Sequence, residues 1–478
     1  MHRPLLENPT RLICTLGPAS RDPATLDRLL EAGLDVARIN FSHATPETIT
    51  PTVRTLRELA AARGRPVAIL GDLQGPKIRT GSLVGGGPVA LWPGATLVIT
   101  TEPVTGTAER VSTTYQALAQ DVHPGDPILL DDGAISLRVV AVEGSEVQTQ
   151  VVDGGDLGEH KGINLPGVAI SSPSVTDKDR EDLRYLVEQQ FDFVAQSFVR
   201  SVEDVRLLKR LLAQLGADTP VIAKIEKPEA IGDLEAIVAE ADALMVARGD
   251  LGVEMPPEEV PILQRRIMSL CAQQRKPVII ATQMLESMRE QPRPTRAEAS
   301  DVANAVFHGA DAVMLSGETA AGKYPVESAQ MMQRICAAAE REYMAGKHLR
   351  TDYSESGFAS DSDALARASA ELAEAVGAAA IVAFTQSGST ARLISMCRTR
   401  VPVLALTPLA ATARRCCLYW GVVPVLIPAP ASSEEMRSEV TRVLKERGWV
   451  QPGDVIVITS GTVGHTGTTD TIRLQTVT

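Results

Sequence analysis

The chain has 478 residues, 44% hydrophobic and 22% charged, long enough for about three domains and a large core. Its formal net charge of -12 argues against a phosphate-backbone binder or a partner of anionic membranes. Aromatic content of 3% argues against stacking platforms for single-stranded nucleic acid, so any anionic ligand must be drawn by a local positive pocket. Six cysteines (Cys14, Cys271, Cys336, Cys397, Cys416, Cys417) show no CxxC spacing and read as reduced thiols of a cytoplasmic protein. No basic start precedes an apolar run, and no apolar stretch is long enough to span a bilayer.

In chain order, the run 11–16 (RLICTL) predicts a buried strand, stopped by Gly17-Pro18 before a helix over 24–31 whose Leu26, Leu29 and Leu30 share one face. The unit repeats as strand 36–41 (VARINF), Thr45-Pro46 as N-cap and first-turn proline, helix 53–63, and strand 67–73 (VAILGDL). Helical periodicity then lapses. From about 81 to 175, alternating runs at 96–100, 135–142 and 146–152 lie between Gly, Pro and Asp turns, which predicts an all-β insertion. It follows a strand whose tip carries Asp72, Lys77 and Arg79, so it is expected to hang over that face as a lid that excludes water.

The α/β rhythm resumes with capping-box helix starts at Thr176 and Ser201 around a strand at 191–198. The stretch 221–254 reads strand, loop, helix, strand, loop, a βαβ unit with parallel strands. Alternation along its first strand puts Lys224 and Glu226 on one face at the carboxyl end, and Asp250 ends the second. Glu226 and Asp250 are therefore placed to share a divalent cation beside the Lys224 ammonium, since Mg²⁺ is commonly held by one or two carboxylates plus water and substrate oxygens. A phosphate or an enolate is the natural guest. Strands at 278–283 and 312–316, with a capping box from Thr295 to Glu298, complete eight. The pattern predicts an α/β fold: a (β/α)8 TIM barrel with an inserted small β-barrel lid domain and a C-terminal α/β domain.

Residues 343–363 read as a linker, followed by strands at 380–384, 403–407, 422–427 and 455–459 and a helix capped by Ser432 and Glu435. The loop carrying Thr385, Ser387, Ser389 and Thr390 lies between a strand and a helix. It is either an anion site for a phosphorylated effector, built from backbone N–H groups and the helix dipole, or a Ser/Gly-rich turn alone. The expected domains are 1–80 with 175–344 (catalytic barrel), 81–174 (lid) and 345–478 (regulatory).

Eight longer motifs run through these elements: CTLGPAS (14–20), VARINFSH (36–43), GPKIRTG (75–81), KGINLPG (161–167), AKIEKPEAI (223–231), MVARGDLGVE (245–254), ATQMLESM (281–288) and MLSGETA (314–320). In them the chain resembles the pyruvate kinase family over nearly its whole length. The resemblance implies transfer of phosphoryl from phosphoenolpyruvate to ADP by an allosteric, cytoplasmic homotetramer of glycolysis. It implies Glu226 and Asp250 as ligands of Mg²⁺ (or Mn²⁺), and Lys224 as the lysine that neutralises the transferring phosphoryl group. Arg38 and Arg79 match phosphate-contacting arginines, with Arg79 and Lys161 on the nucleotide side beside the loop Asn40, Phe41, Ser42 and His43. Thr282 matches the threonine near the enolpyruvate methylene, where a water or relay must help deliver the proton. Gly249 with the Asp250 N–H resembles the carboxylate-binding turn, and Ser197 and Ser316 line the pocket.

The chain departs from the potassium-requiring pattern Asp-Thr-Lys-Gly-Pro-Glu, carrying Asp72-Leu-Gln-Gly-Pro-Lys77 instead. Asn40, Ser42, Asp72 and Leu73 hold the family's monovalent-cation positions. Leu73 lacks the usual hydroxyl, while Lys77 carries the same unit charge as K⁺ and is expected to hydrogen-bond Asp72, so the resemblance is to the potassium-independent branch. Two other readings differ in class. A metal-dependent barrel lyase or aldolase acting on a pyruvate enolate accounts for Glu226, Asp250 and Arg38 but not for the lid with Lys161. A non-catalytic regulatory paralogue is opposed by the intact Lys224, Glu226, Asp250 and Thr282.

Overall fold

A computed structural model describes residues 8–345, 360–430, 432–461 and 469–478. Strands β1 (Arg11–Thr15), β2 (Leu34–Asn40), β3 (Ala68–Asp72), β4 (Phe193–Gln196), β5 (Val221–Ile225), β6 (Ala243–Ala247), β7 (Val278–Ala281) and β8 (Ala312–Leu315) close into one barrel. All eight pairings are parallel, β8 bonding back to β1. Along each strand the period of two separates an inner set (Ile13, Val36, Leu70, Ile222, Met245, Met314) from an outer set packed on the helices. Two residues further along the same inward rows stand Arg38 above Val36, Asp72 above Leu70 and Lys224 above Ile222. The site's charges are thus the next layer of the barrel's own filling, at the carboxyl mouth.

The opposite mouth is laced by aspartates. Asp35, Asp192, Asp242 and Asp311, at the starts of the even-numbered strands, accept the backbone N–H of Leu12, Ile69, Val221 and Val278 at 2.8–2.9 Å. Each carboxylate stitches its strand to the preceding odd one. Arg398 and Arg414, from beyond the barrel, pair with Asp311 at 2.9 Å and Asp192 at 2.7 Å. These arginines belong to a unit built on a five-stranded sheet, ordered Val422–Leu426, Val403–Thr407, Ala380–Phe384, Val455–Ser460, Thr471–Thr476. Its closing edge strand is antiparallel and was not predicted from sequence. Ile472 and Leu474 are its only apolar side chains besides the flanking polar ones, and Leu474 is 46% exposed, so the run carries little burial signal.

The insertion is all-β apart from two short turns, Val84–Gly86 and Leu118–Asp121. A six-stranded sheet runs Ile163–Asn164, Pro127–Leu130, Ile135–Glu143, Glu146–Asp153, Thr96–Thr100, Arg110–Ser112, with its own core around Leu97, Ile99, Ile128, Leu137 and Val147. The helix expected over 53–63 begins earlier, at Pro46–Ala62, because Thr45 and Thr48 form a capping box; Pro51 forgoes one helical bond inside it. The expected linker is shorter at both ends, since helices occupy Pro325–Met344 and Asp361–Ala375. The stretch between, 346–359, lies outside the described residues.

Candidate active site

Three strand tips, those of β3, β4 and β5, meet at the Lys224 ammonium. It lies 3.1 Å from Asp72 Oδ1, 2.9 Å from Glu226 Oε1 and 2.7 Å from Ser197 Oγ. Asp72 takes a second cation on its other oxygen, Arg38 Nε at 2.7 Å, and Arg38 also donates to Thr15 Oγ1 at 2.9 Å. Asp72 and Glu226 side chains are each 1% exposed. Burial alone would depress the Lys224 pKa, but Asp72 and Glu226 outweigh it and hold the ammonium well above the ordinary lysine value. For Asp72, burial is overcome by Lys224 and Arg38, and its pKa falls. Glu226 goes the other way: burial and the nearby Asp250 charge raise it despite Lys224. Burial first, and the second carboxylate after it, push this group toward its neutral form, so the pair has room for more positive charge.

That deficit fits a divalent cation. Glu226 has one oxygen on Lys224 and accepts from the Phe198 N–H on the other at 2.8 Å. Asp250, in the first turn of the helix Arg248–Glu254 after β6, makes no side-chain hydrogen bond or ion pair among the described residues, and it lines a small cavity with Lys77, Phe198, Arg200 and Lys227. No group of three or more His, Cys, Asp or Glu side chains is arranged to hold a metal among the described residues. A pair of carboxylates suits Mg²⁺, which keeps several positions for water and phosphate oxygens.

Thr282 sits just past β7 with φ +64, a costly backbone for a β-branched residue. Its hydroxyl accepts from the Gly249 N–H at 2.7 Å and donates to Ala281 O at 2.6 Å. A Cβ on Gly249 would lie 3.3 Å from that hydroxyl, so the close approach suits glycine. Arg248 fixes the turn from outside, donating to Thr282 O at 2.9 Å while pairing with Asp301 at 2.5 Å. Ser316 follows β8; its backbone N–H donates to Glu318 at 2.7 Å, and its hydroxyl is buried without a partner among the described residues. Ser197 donates to Leu73 O at 2.8 Å.

On the far side of the mouth, Asn40 Oδ1 accepts from the Ser42 N–H at 3.0 Å, and Lys178 donates to Phe41 O at 2.9 Å. Burial, then the charges of Arg79, Lys77 and Arg38, lower the His43 pKa and favour neutral imidazole. In the lid, Lys161 pairs with Asp131 at 2.9 Å, and Arg79 donates to His160 O at 3.0 Å. Leu73 points into the core at 2% exposure. The expected hydrogen bond from Lys77 to Asp72 is absent: the carboxylate is already occupied by Arg38, Lys224 and Ser197, and Lys77 turns into the cavity beside Asp250 instead.

In the distant loop, Thr385 Oγ1 accepts from the Gly388 N–H at 2.8 Å and Ser387 Oγ from the Ser389 N–H at 3.3 Å. Thr390 shares a hydrogen bond with Thr469 at 2.8 Å. The loop leads through left-handed Gly388 into the helix Ser389–Met396. Sequence reasoning missed Thr15, Phe198, Arg248 and Glu318. They act through backbone groups or orient another side chain, which no motif spacing reveals.

Comparison with known proteins gives a consistent result. The family described as "Pyruvate kinase, barrel domain" matches residues 7–329, and "Pyruvate kinase, alpha/beta domain" matches 363–475. A pyruvate kinase of Corynebacterium glutamicum is 45% identical over 472 residues, 98% of each chain. One of Geobacillus stearothermophilus is 44% identical over 476 residues, 99% of this chain and 81% of the relative. A crystal structure of a pyruvate kinase from Cryptosporidium parvum superposes with a TM-score of 0.90 at 35% identity, covering 99% of this chain and 97% of that one.

Proposed function

The chain belongs to the pyruvate kinase family, and from that premise we propose how its residues carry phosphoryl from phosphoenolpyruvate to ADP, giving pyruvate and ATP. The observation that carries the reading is the buried Lys224 ammonium, compensated by Asp72 and Glu226 and kept charged at the carboxyl mouth of the barrel. Phosphoryl transfer asks the protein for positioning and fixed positive charge more than for covalent chemistry. Lys224 and Arg38 supply that charge, and Asp72 holds both in register from below. Glu226 and Asp250 would hold Mg²⁺ (Mn²⁺ being an alternative), which when bound supplies further positive charge to phosphate oxygens. The Gly249–Asp250 turn offers the Asp250 backbone N–H to the substrate carboxylate, the Gly249 N–H being taken by Thr282, with Ser197 and Ser316 lining the pocket. Thr282, held by Gly249 and Ala281, orients the path of the proton that turns enolate into ketone; a threonine is too weak an acid to supply it alone. Asn40, Phe41, Ser42, His43, Arg79 and Lys161 form the nucleotide side, the last carried by the lid. Pyruvate formation is expected to require both ADP and Mg²⁺, to stop on chelation and to resume on adding the metal; turnover of phosphoenolpyruvate without ADP would sink the reading.

The barrel lyase alternative is not favoured by these relatives. A cytoplasmic homotetramer is carried as a further proposal from the family, in keeping with six unpaired cysteines, and native mass spectrometry would check it.

Activity independent of potassium is proposed to follow from the Lys77 charge. Lys77 acts through space, adding a unit charge beside Asp250 and His43 rather than bonding Asp72. Nearly full Mg²⁺-dependent activity is expected in buffers free of K⁺ and NH₄⁺. The variant Lys77→Glu should lose about tenfold or more, since two like charges then face each other near the metal position, and should partly recover with K⁺. Strong K⁺ activation of the wild type would show that Asn40, Ser42 and Asp72 still hold an ion.

The loop of Thr385, Ser387, Ser389 and Thr390 is proposed to take a phosphorylated effector at the helix start. A shift of the phosphoenolpyruvate saturation curve by sugar phosphates or AMP, lost in Ser387→Glu, is the expected result. No shift with any of them would leave the loop a turn closed on its own backbone.

A further inference from the structure

We propose that Asn164, Glu254 and Lys227 form a latch that seats the lid on the barrel and ties its position to the two acidic residues of the site. Glu254 is then a positioning residue; the inference rests on the reading of those residues given above. Asn164 lies in the lid strand Ile163–Asn164 and donates Nδ2–H to Glu254 Oε1 at 2.8 Å. The same oxygen receives Lys227 Nζ at 2.6 Å. Lys227 and Glu254 side chains are 6% and 1% exposed, and Glu254 Oε2 is buried with no partner among the described residues. This carboxylate therefore has one donor from the barrel and one from the lid. When the lid swings away, a charge-assisted bond is broken at a buried anion.

The latch touches both acidic residues through short links. Glu254 ends the helix whose first turn carries Asp250, four residues earlier on the same face. The Lys227 ammonium lies 6.0 Å from the centre of the Phe198 ring, and the Phe198 N–H, on a left-handed backbone of φ +56, donates to Glu226 Oε2 at 2.8 Å. The lid also passes close to the same helix at Gly133, where an added Cβ would sit 3.7 Å from Val253 Cγ1. Three residues before Asn164 comes Lys161, so the segment that reaches the latch also carries the lid's nucleotide-side lysine. Closing the lid sets Lys161 and braces the Glu226 and Asp250 supports together.

Asn164 is at the seam rather than in a core, so its replacement leaves the lid's own packing intact. In the full-length protein with Mg²⁺, Asn164→Ala is expected to speed amide hydrogen exchange at 131–134 and 251–254 about tenfold. The lid-core strands Thr96–Thr100 and Glu146–Asp153 should exchange as before. The ADP KM should rise by about the same factor, with the phosphoenolpyruvate KM unchanged. Asn164→Asp, which sets a like charge against Glu254, should loosen the seam further. Adding Glu254→Gln to Asn164→Asp exchanges donor and acceptor and should restore protection, a rescue that a merely structural asparagine would not show. Wild-type seam exchange in both Asn164→Ala and Asn164→Asp overturns the latch. A loosened seam with an unchanged ADP KM upholds the latch and instead removes the lid from nucleotide binding.

Discussion

Lys224→Met is expected to lower kcat about a thousandfold or more while leaving the phosphoenolpyruvate KM within a few-fold of wild type. The reason is where the ammonium's charge matters. In the resting protein it compensates Asp72 and Glu226; during transfer it faces phosphoryl oxygens whose charge changes in the transition state, so its loss falls on turnover rather than on ground-state binding. The fold survives because Asp72 keeps Arg38 at 2.7 Å and Glu226 keeps the Phe198 N–H at 2.8 Å. Metal binding, followed by Mn²⁺ titration, should persist. A variant with near-normal kcat would remove Lys224 from this role.

Arg398→Met is expected to be the most damaging change away from the site, costing about 3–5 kcal/mol of stability. It strips the guanidinium from Asp311, which is 1% exposed and whose other oxygen already accepts the Val278 N–H at 2.8 Å. It also removes the cation stacked 4.8 Å from the Trp420 ring and the donor to Gly309 O at 2.6 Å. Burial raises the Asp311 pKa against the pull of Arg398, so without the arginine the charged form becomes still less tolerable. The double variant with Asp311→Asn should lose less than the single one, because the stranded charge is gone. Urea unfolding midpoints decide it; a single-variant loss under about 1 kcal/mol would mean that the aspartate ring is incidental to the barrel.

The barrel and most of the site were legible in the sequence for one shared reason. Inward rows such as Val36-Arg38, Leu70-Asp72 and Ile222-Lys224 alternate with period two and end in charge, so the same pattern predicts the strand, its inner face and its chemistry. Tertiary choice among several acceptors was not legible. Lys77 and Asp72 are near in sequence and opposite in charge, yet Arg38 and Lys224 saturate the carboxylate first. The aspartate ring escaped for a related reason: Asp35, Asp192, Asp242 and Asp311 look like ordinary turn residues before strands, and their common role appears only when each meets the N–H of the neighbouring strand. The edge strand Thr471–Thr476 buries too little to announce itself, and Phe198 and Arg248 serve through backbone atoms or by orienting other residues.

The central claim is that the phosphoryl group leaving phosphoenolpyruvate arrives on ADP. Phosphorus NMR of the wild-type protein with both substrates and Mg²⁺, in a tetramethylammonium buffer without K⁺, follows that group directly. The account predicts that the phosphoenolpyruvate resonance declines as the γ-phosphate of ATP grows in equal amount, with one pyruvate formed for each. Inorganic phosphate appearing without ATP, or phosphoenolpyruvate persisting even after K⁺ is supplied, would contradict it.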